Sequence, residues 1–400
     1  MDMDDEKLLQ KIGYERNIGH GTLLNYKKVI QHYTNYTGKP FNQLIHEAQT
    51  EERERIPWID RKLKDYLISF RAWLYNTYNE NTAEKYFSVL LTIHRHFFIE
   101  IHYLPPISNK NTIKSEPYTY EDLPTKEIIK ASLRMHNTTG PMKPLILGFS
   151  SGGASLIDML TLEIVDYIKG LKQYIKHELD INNLTDASIY QVIKIIQEQE
   201  KQNKIIIPII YLRRKKTKQP HFILWSPETV NATNQYLLTR KDLKLNDKLF
   251  PIHKRYLSEK FLKINNELGL GKKNKYAMFT SRMLRKFHAT SLESSMGKDK
   301  VDFLQGRKGI TTTQQSYYFN NPQELIEMYI QNLDKLMINW EVETLTYESP
   351  EVLEIRKENE RLEKESEMLS EKIKNIDANI EDEVAKQIKE VMRGSWKKVR

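Results

Sequence analysis

The 400-residue chain contains no cysteine. That excludes disulfides, thiolate metal sites and a cysteine nucleophile. Long apolar runs are missing too: no stretch approaches the ~18 residues a membrane span needs. The start, MDMDDEKLLQ, is acidic and has no hydrophobic signal core, so a cytoplasmic protein is expected. The zinc-helix pattern HExxH is absent, as is the phosphate loop GxxxxGK[ST]; LGLGKK, with Gly269, Gly271 and Lys272, reads as a plain loop. The acidic residues show no spacing that suggests two-metal catalysis. No metal or other cofactor is expected.

What is present is positive charge. Charged residues make up 29% of the chain, and the net charge is +9. A basic balance of this size favours a polyanionic partner, most simply nucleic acid, although a solvated lysine-rich surface gives the same numbers.

Periodicity divides the chain. Residues 1–11 are expected to be a disordered N-terminus. Residues 12–104 read as a bundle of four or five helices; LKDYLISFRAWLYNTY places apolar side chains three and four apart. Two helix starts echo each other, GTLLNYKKVIQHYTNY and NTAEKYFSVLLTIHRHF, with Thr22 and Thr82 as candidate N-caps. Lys27, Lys28, Arg95 and His96 are candidate phosphate contacts if this bundle clamps DNA. Residues 105–121, rich in Pro, Ser, Asn and Lys, read as a linker. A second domain spans 122–336. It has a helical stretch broken at Gly152 and Gly153, a hairpin around the basic turn of KIIIPIIYLRRKKTKQPHFILWSPETV, and another helix in TSRMLRKFHATSL. The expected fold class is therefore mainly α with a small β-sheet (α+β). From 349 to 390, Val352, Ile355, Asn359, Leu362, Ser366, Leu369, Ile373, Ile376 and Ile380 form a heptad seam. It reads as a coiled coil able to self-associate, or as a single helix packed on the body. Residues 391–400 form a basic tail.

One question remains. LQGRKGITTTQQSYYF, residues 304–319, follows a basic glycine turn with two adjacent tyrosines. A tyrosine hydroxyl attacking a phosphodiester needs cations on the non-bridging oxygens, where charge develops. The planar fork of arginine suits that task.

TSRMLRKFHATSL and LQGRKGITTTQQSYYF together resemble the two C-terminal motif boxes of the tyrosine recombinases, or phage-type integrases. The likeness is greatest to archaeal integrases, and covers roughly residues 12–336. It implies a helical core-binding domain that clamps DNA, a catalytic domain, and a protein of a mobile element that integrates or recombines double-stranded DNA as a tetramer, without metal or nucleotide. It implies Arg285 as a phosphate-binding arginine and Arg282 at a position usually held by His. It implies Arg307 of LQGR as a further catalytic cation, and Lys216 as the hairpin lysine and general acid, with Lys215 as its rival. Arg213, Arg214, Lys215 and Lys286 are expected to touch DNA. Tyr317 is the implied nucleophile, with Tyr318 as its alternative. One position departs from the pattern: SSGGASLIDMLTL puts Ser155 where the first family arginine belongs, with Asp158 as the following acid. Either Arg213, Arg214 or Arg282 has taken over that charge, or the chain is an impaired, DNA-binding form of the fold.

Overall fold

The computed structural model describes residues 3–107, 114–175, 178–202, 204–307 and 321–338. It is mostly helical with small antiparallel sheets, as expected. Tyr317, Tyr318 and the heptad seam lie outside the described residues. Among those described, no helix is long and apolar enough to cross a membrane.

Five helices come first: α1 (Met3–Glu15), α2 (His20–Thr37), α3 (Phe41–Arg53), α4 (Lys62–Thr77) and α5 (Glu80–His96). The buried side chains of α4 are Leu63, Leu67, Phe70 and Leu74, the spacing of one helical face. They meet Val29, Ile30 and Tyr33 of α2 and Leu90 and Ile93 of α5 in one cluster running from Leu9 to Ile99.

From residue 3 onward the N-terminus expected to be disordered is helical: α1 begins at Met3 and buries Leu9 and Ile12 in that cluster. Its acidic residues are used as well. Buried Asp5 accepts from the backbone N of Asn42 at 2.8 Å. That occupies a free N–H in the first turn of α3, whose N-cap, Pro40, makes no side-chain cap bond. Glu6 pairs with Lys27 at 2.9 Å. The two threonine caps also need correction. Helix α2 starts at N-cap Gly19, and α5 starts at Asn79, whose side chain accepts from Thr82 N.

After the linker, α6 (Lys126–Leu133), α7 (Met142–Gly152), α8 (Leu156–Thr161), α9 (Ile164–Gly170), α10 (Lys172–Ile175) and α11 (Ser188–Lys201) lead into the hairpin β1 (Ile209–Arg213) and β2 (Pro220–Leu224). The register pairs Ile209 with Leu224 and Arg213 with Pro220, so Arg214 to Gln219 form the turn. Next come α12 (Pro227–Leu238), α13 (Lys254–Glu267), a short ladder of Lys272–Lys273 with Tyr276–Ala277, α14 (Ser281–Met296) and α15 (Lys298–Leu304). Helix α7 is buried on nearly all sides and packs against α12 and α14. A separate unit begins at Asn321. In it, Asn321 caps helix Pro322–Ile330, which buries Leu325, Ile326 and Tyr329, and a short helix, Leu333–Leu336, follows.

Candidate functional site

Three breaks in the helical pattern build the site. The first is the end of α7, where Gly153 takes a left-handed φ of 60°. A Cβ there would come within 2.5 Å of the His288 ring, so both conformation and space require glycine. The second is the hairpin turn. The third is the end of α15, where Gly306 has φ 62° and a Cβ would strike the His221 ring at 2.7 Å. The hairpin and α15 are held together partly by Phe222 and Phe303, packed edge to face at 5.2 Å between centroids.

Arg285, on α14, joins two of these breaks. Its Nη1 donates to the carbonyl of Gly153 and its Nη2 to the carbonyl of Gln305, both at 2.7 Å. Gln305, fully buried, answers with Nε2, which donates to Arg285 O at 2.9 Å and lies 3.0 Å from His288 Nδ1. Arg214, the first residue after β1, donates through Nη1 to the next carbonyl, that of Gly306, at 2.8 Å. Arg307 follows immediately and pairs with Asp302 at 3.1 Å. Two guanidinium groups thus converge on the short run Gln305–Gly306–Arg307, which itself carries a third.

The electrostatics follow from that crowding. Burial, then Arg214, then Arg307 push the pKa of Arg285 down to about 9, which leaves it cationic at neutral pH. Burial, then Arg285 and Arg307, push His288 down to about 3. His288 is therefore neutral, and its Nδ1 accepts from Gln305. His221, also buried, is lowered chiefly by burial. Asp158 is marked as the acid of its motif, whereas the motifs do not single out Gln305, His221 and His288 as site residues. Gln305 precedes a glycine that the turn requires, and the two histidines leave no comparable trace in the sequence.

Asp158 is almost wholly buried. Its Oδ2 accepts from Ser155 Oγ at 2.6 Å and its Oδ1 from the backbone N of Lys215 at 2.9 Å. Ser155 itself caps α8. The carboxylate thus ties the start of α8 to the hairpin turn, one residue from Arg214.

The remaining predicted residues sit around this centre. Lys215 and Lys216 are exposed on the turn. Arg213 turns its Nη1 back on Lys218 O at 3.4 Å, within its own hairpin. Arg282 is exposed in the first turn of α14, and its charge acts on Lys286. Lys286 lies 4.1 Å from the ring centroid of Tyr118. Further away, Lys27 pairs with Glu6, Lys28 lies over the Tyr86 ring at 5.3 Å, Arg95 is exposed, and His96 meets Glu15 at 2.9 Å.

The chain matches no protein-family model and no curated protein sequence. Solved structures do match. XerH site-specific recombinase bound to its difH substrate aligns over 81% of this chain and 83% of its own, with 16% identity and a TM-score of 0.45. A lambda integrase tetramer bound to a Holliday junction aligns over 78% and 76%, with 14% identity and a TM-score of 0.49. The Tn1549 transposon integrase in complex with transposon right end DNA aligns over 82% and 98%, with 13% identity and a TM-score of 0.42.

Proposed function

We propose that this chain is a site-specific tyrosine recombinase of the integrase type, acting on double-stranded DNA. The observation that carries the reading is that Arg285 bonds the Gln305 carbonyl, two residues before Arg307, in the turn that precedes the tyrosines in the sequence. Arg285 is fixed by two neutral carbonyls, so its charge is positioned but not cancelled. A site of that kind is suited to an anion, and a phosphodiester is the anion that the adjacent tyrosines would attack.

In the proposed step the Tyr317 oxygen attacks phosphorus. A P–O(Tyr) bond forms and the bond from phosphorus to the 5′ oxygen breaks. The phenolic proton passes to water, and the leaving oxygen takes a proton from Lys216, or from Lys215 if the turn presents that ammonium instead. Arg285 and Arg307 bind the non-bridging oxygens, with Arg282 one turn earlier on α14. The energy of the broken bond is kept in the phosphotyrosine, so rejoining needs no high-energy cofactor. We assign residues 12–104 to a DNA clamp carrying Lys27, Lys28 and Arg95, residues 105–121 to the linker, and residues 122–336 to catalysis. Strand exchange would take place in a tetramer, with residues 349–390 as a self-associating coiled coil. Assignment to the archaeal branch, to a mobile element and to the cytoplasm belongs to the same proposal.

Ser155 favours a second reading, a DNA-binding protein that has lost the reaction. Covalent trapping separates the two. Nicked duplexes tiling the DNA beside the gene are incubated with the protein and resolved under denaturing conditions. The recombinase reading expects a DNA-linked band that disappears in Tyr317→Phe and survives in Tyr318→Phe. DNA binding with no band from the parent chain or from Ser155→Arg would establish the second reading.

A further inference from the structure

We propose that Arg214 supplies the phosphate-binding charge that Ser155 cannot, so that the hairpin turn provides both this cation and the neighbouring general acid. The inference rests on the recombinase reading.

Three candidates could fill the role, and their contacts separate them. Arg213 bonds back to Lys218 O within its own turn. Arg282 is exposed, and its charge acts on Lys286. Arg214 alone of the three reaches the Gln305–Gly306–Arg307 turn, bonding the carbonyl that follows the one held by Arg285. Arg285 and Arg214 therefore grip adjacent peptide units, which fixes one guanidinium beside the other. Like charges brought together this way repel unless an anion lies between them. Asp302 pairs with Arg307, but among the described residues no carboxylate pairs with Arg214.

The position also fits the gap. Ser155 bonds Asp158, and Asp158 bonds the backbone N of Lys215, the residue next to Arg214. The place where the family pattern has arginine and the place where this chain has one are thus linked through a single buried carboxylate. Gly306 closes onto His221 with a left-handed φ, and its carbonyl holds Arg214 Nη1. Arg214 spends only that one donor among the described residues, which leaves the rest of its fork for phosphate oxygens. The hydrogen bond to Gly306 orders a side chain that would otherwise be a mobile cation on an exposed turn.

The test uses the full-length chain and the nicked duplex that traps it best. Arg214→Ala is expected to slow covalent trapping by about 10²–10³-fold, the usual cost of losing one preorganised donor to a developing oxyanion. Arg214→Lys keeps charge but not the fork, and is expected to fall between the two. It carries the comparison if the alanine variant fails to fold. Adding Ser155→Arg to Arg214→Ala should recover at least tenfold, because it returns a guanidinium to the other end of the Asp158 relay. Replacing the scissile phosphate by a neutral methylphosphonate should shrink the difference between parent and Arg214→Ala, since the charge to be matched is gone. Arg255→Ala, an exposed arginine paired with Glu259, controls for general loss of basic charge. Trapping by both Arg214 variants within about threefold of the parent would overturn this proposal and leave the recombinase reading intact. A parent that binds DNA but never traps it would overturn both.

Discussion

The arginines beside α14 are held differently from four cations of the five-helix part. There, cations meet carboxylates: Lys27 with Glu6, Lys39 with Glu47, Arg61 with Glu52, and His96 with Glu15. Around α14, Arg285 and Arg214 are held by carbonyl oxygens instead. A carboxylate partner neutralises, whereas a carbonyl partner orients and leaves the charge in place. The first arrangement suits stability and the second suits an anionic ligand. Two buried imidazoles repeat the contrast. His94, against Tyr33 and Phe41, is lowered to about 4, and burial is the dominant cause. His288 is lowered to about 3, again chiefly by burial, and there Arg285 and Arg307 add to it.

The largest way to break this comparison is to remove one arginine of each kind. Arg285→Ala is expected to cut trapping by about 10³-fold or more, since it removes a fixed charge from the reacting phosphate. Arg61→Ala should lower the melting temperature through its lost bonds to Glu52 and the Ile56 carbonyl, with trapping by the folded fraction unchanged. Equal loss of trapping in both variants would erase the distinction.

Acid titration sharpens the same contrast. Both imidazoles have folded pKa values below the unfolded value of about 6.5, so below that pH the unfolded chain binds protons that the native chain refuses. Stability is therefore fully present above about pH 6.5 and is lost as pH falls towards about 4 for His94 and about 3 for His288. At about 1.4 kcal/mol per pKa unit the cost amounts to a few kcal/mol for each. Urea melts across that range should show a shallower acid slope in His288→Gln than in the parent. An unchanged slope would mean that His288 titrates normally in the folded protein.

Two smaller effects follow from backbone and capping. Gly153→Ala meets both a left-handed φ and the His288 ring, and should cost about 1–3 kcal/mol in chemical denaturation. Asn79→Ala removes the side-chain cap of α5 and should cost about 1 kcal/mol.

Much of this architecture was legible in the sequence because it is local. The face of α4, the glycine break after α7 and the hairpin around its basic turn each declare themselves within a dozen residues. Two local readings failed because better partners stood nearby or far off: Asn79 outcompeted Thr82 as a cap, and acidic α1 found Asn42 across 37 positions. The candidate site was legible as a set of residue types but not as an arrangement. Arg285 meets Gly153 across 132 positions, and Arg214 meets Gly306 across 92. No periodicity encodes such pairings, so three arginines looked equivalent until their contacts separated them.

The central claim is that a carbonyl-held arginine cluster presents a phosphodiester to Tyr317. The most direct measurement is mass spectrometry of trapped complex digested with nuclease and trypsin, read on the peptide 309–335, which follows Lys308 and ends at Lys335. A nucleotide adduct on Tyr317, absent from Arg285→Ala, is the predicted result. Unmodified peptide from protein fully bound to its duplex, or an adduct on any other residue, would contradict it.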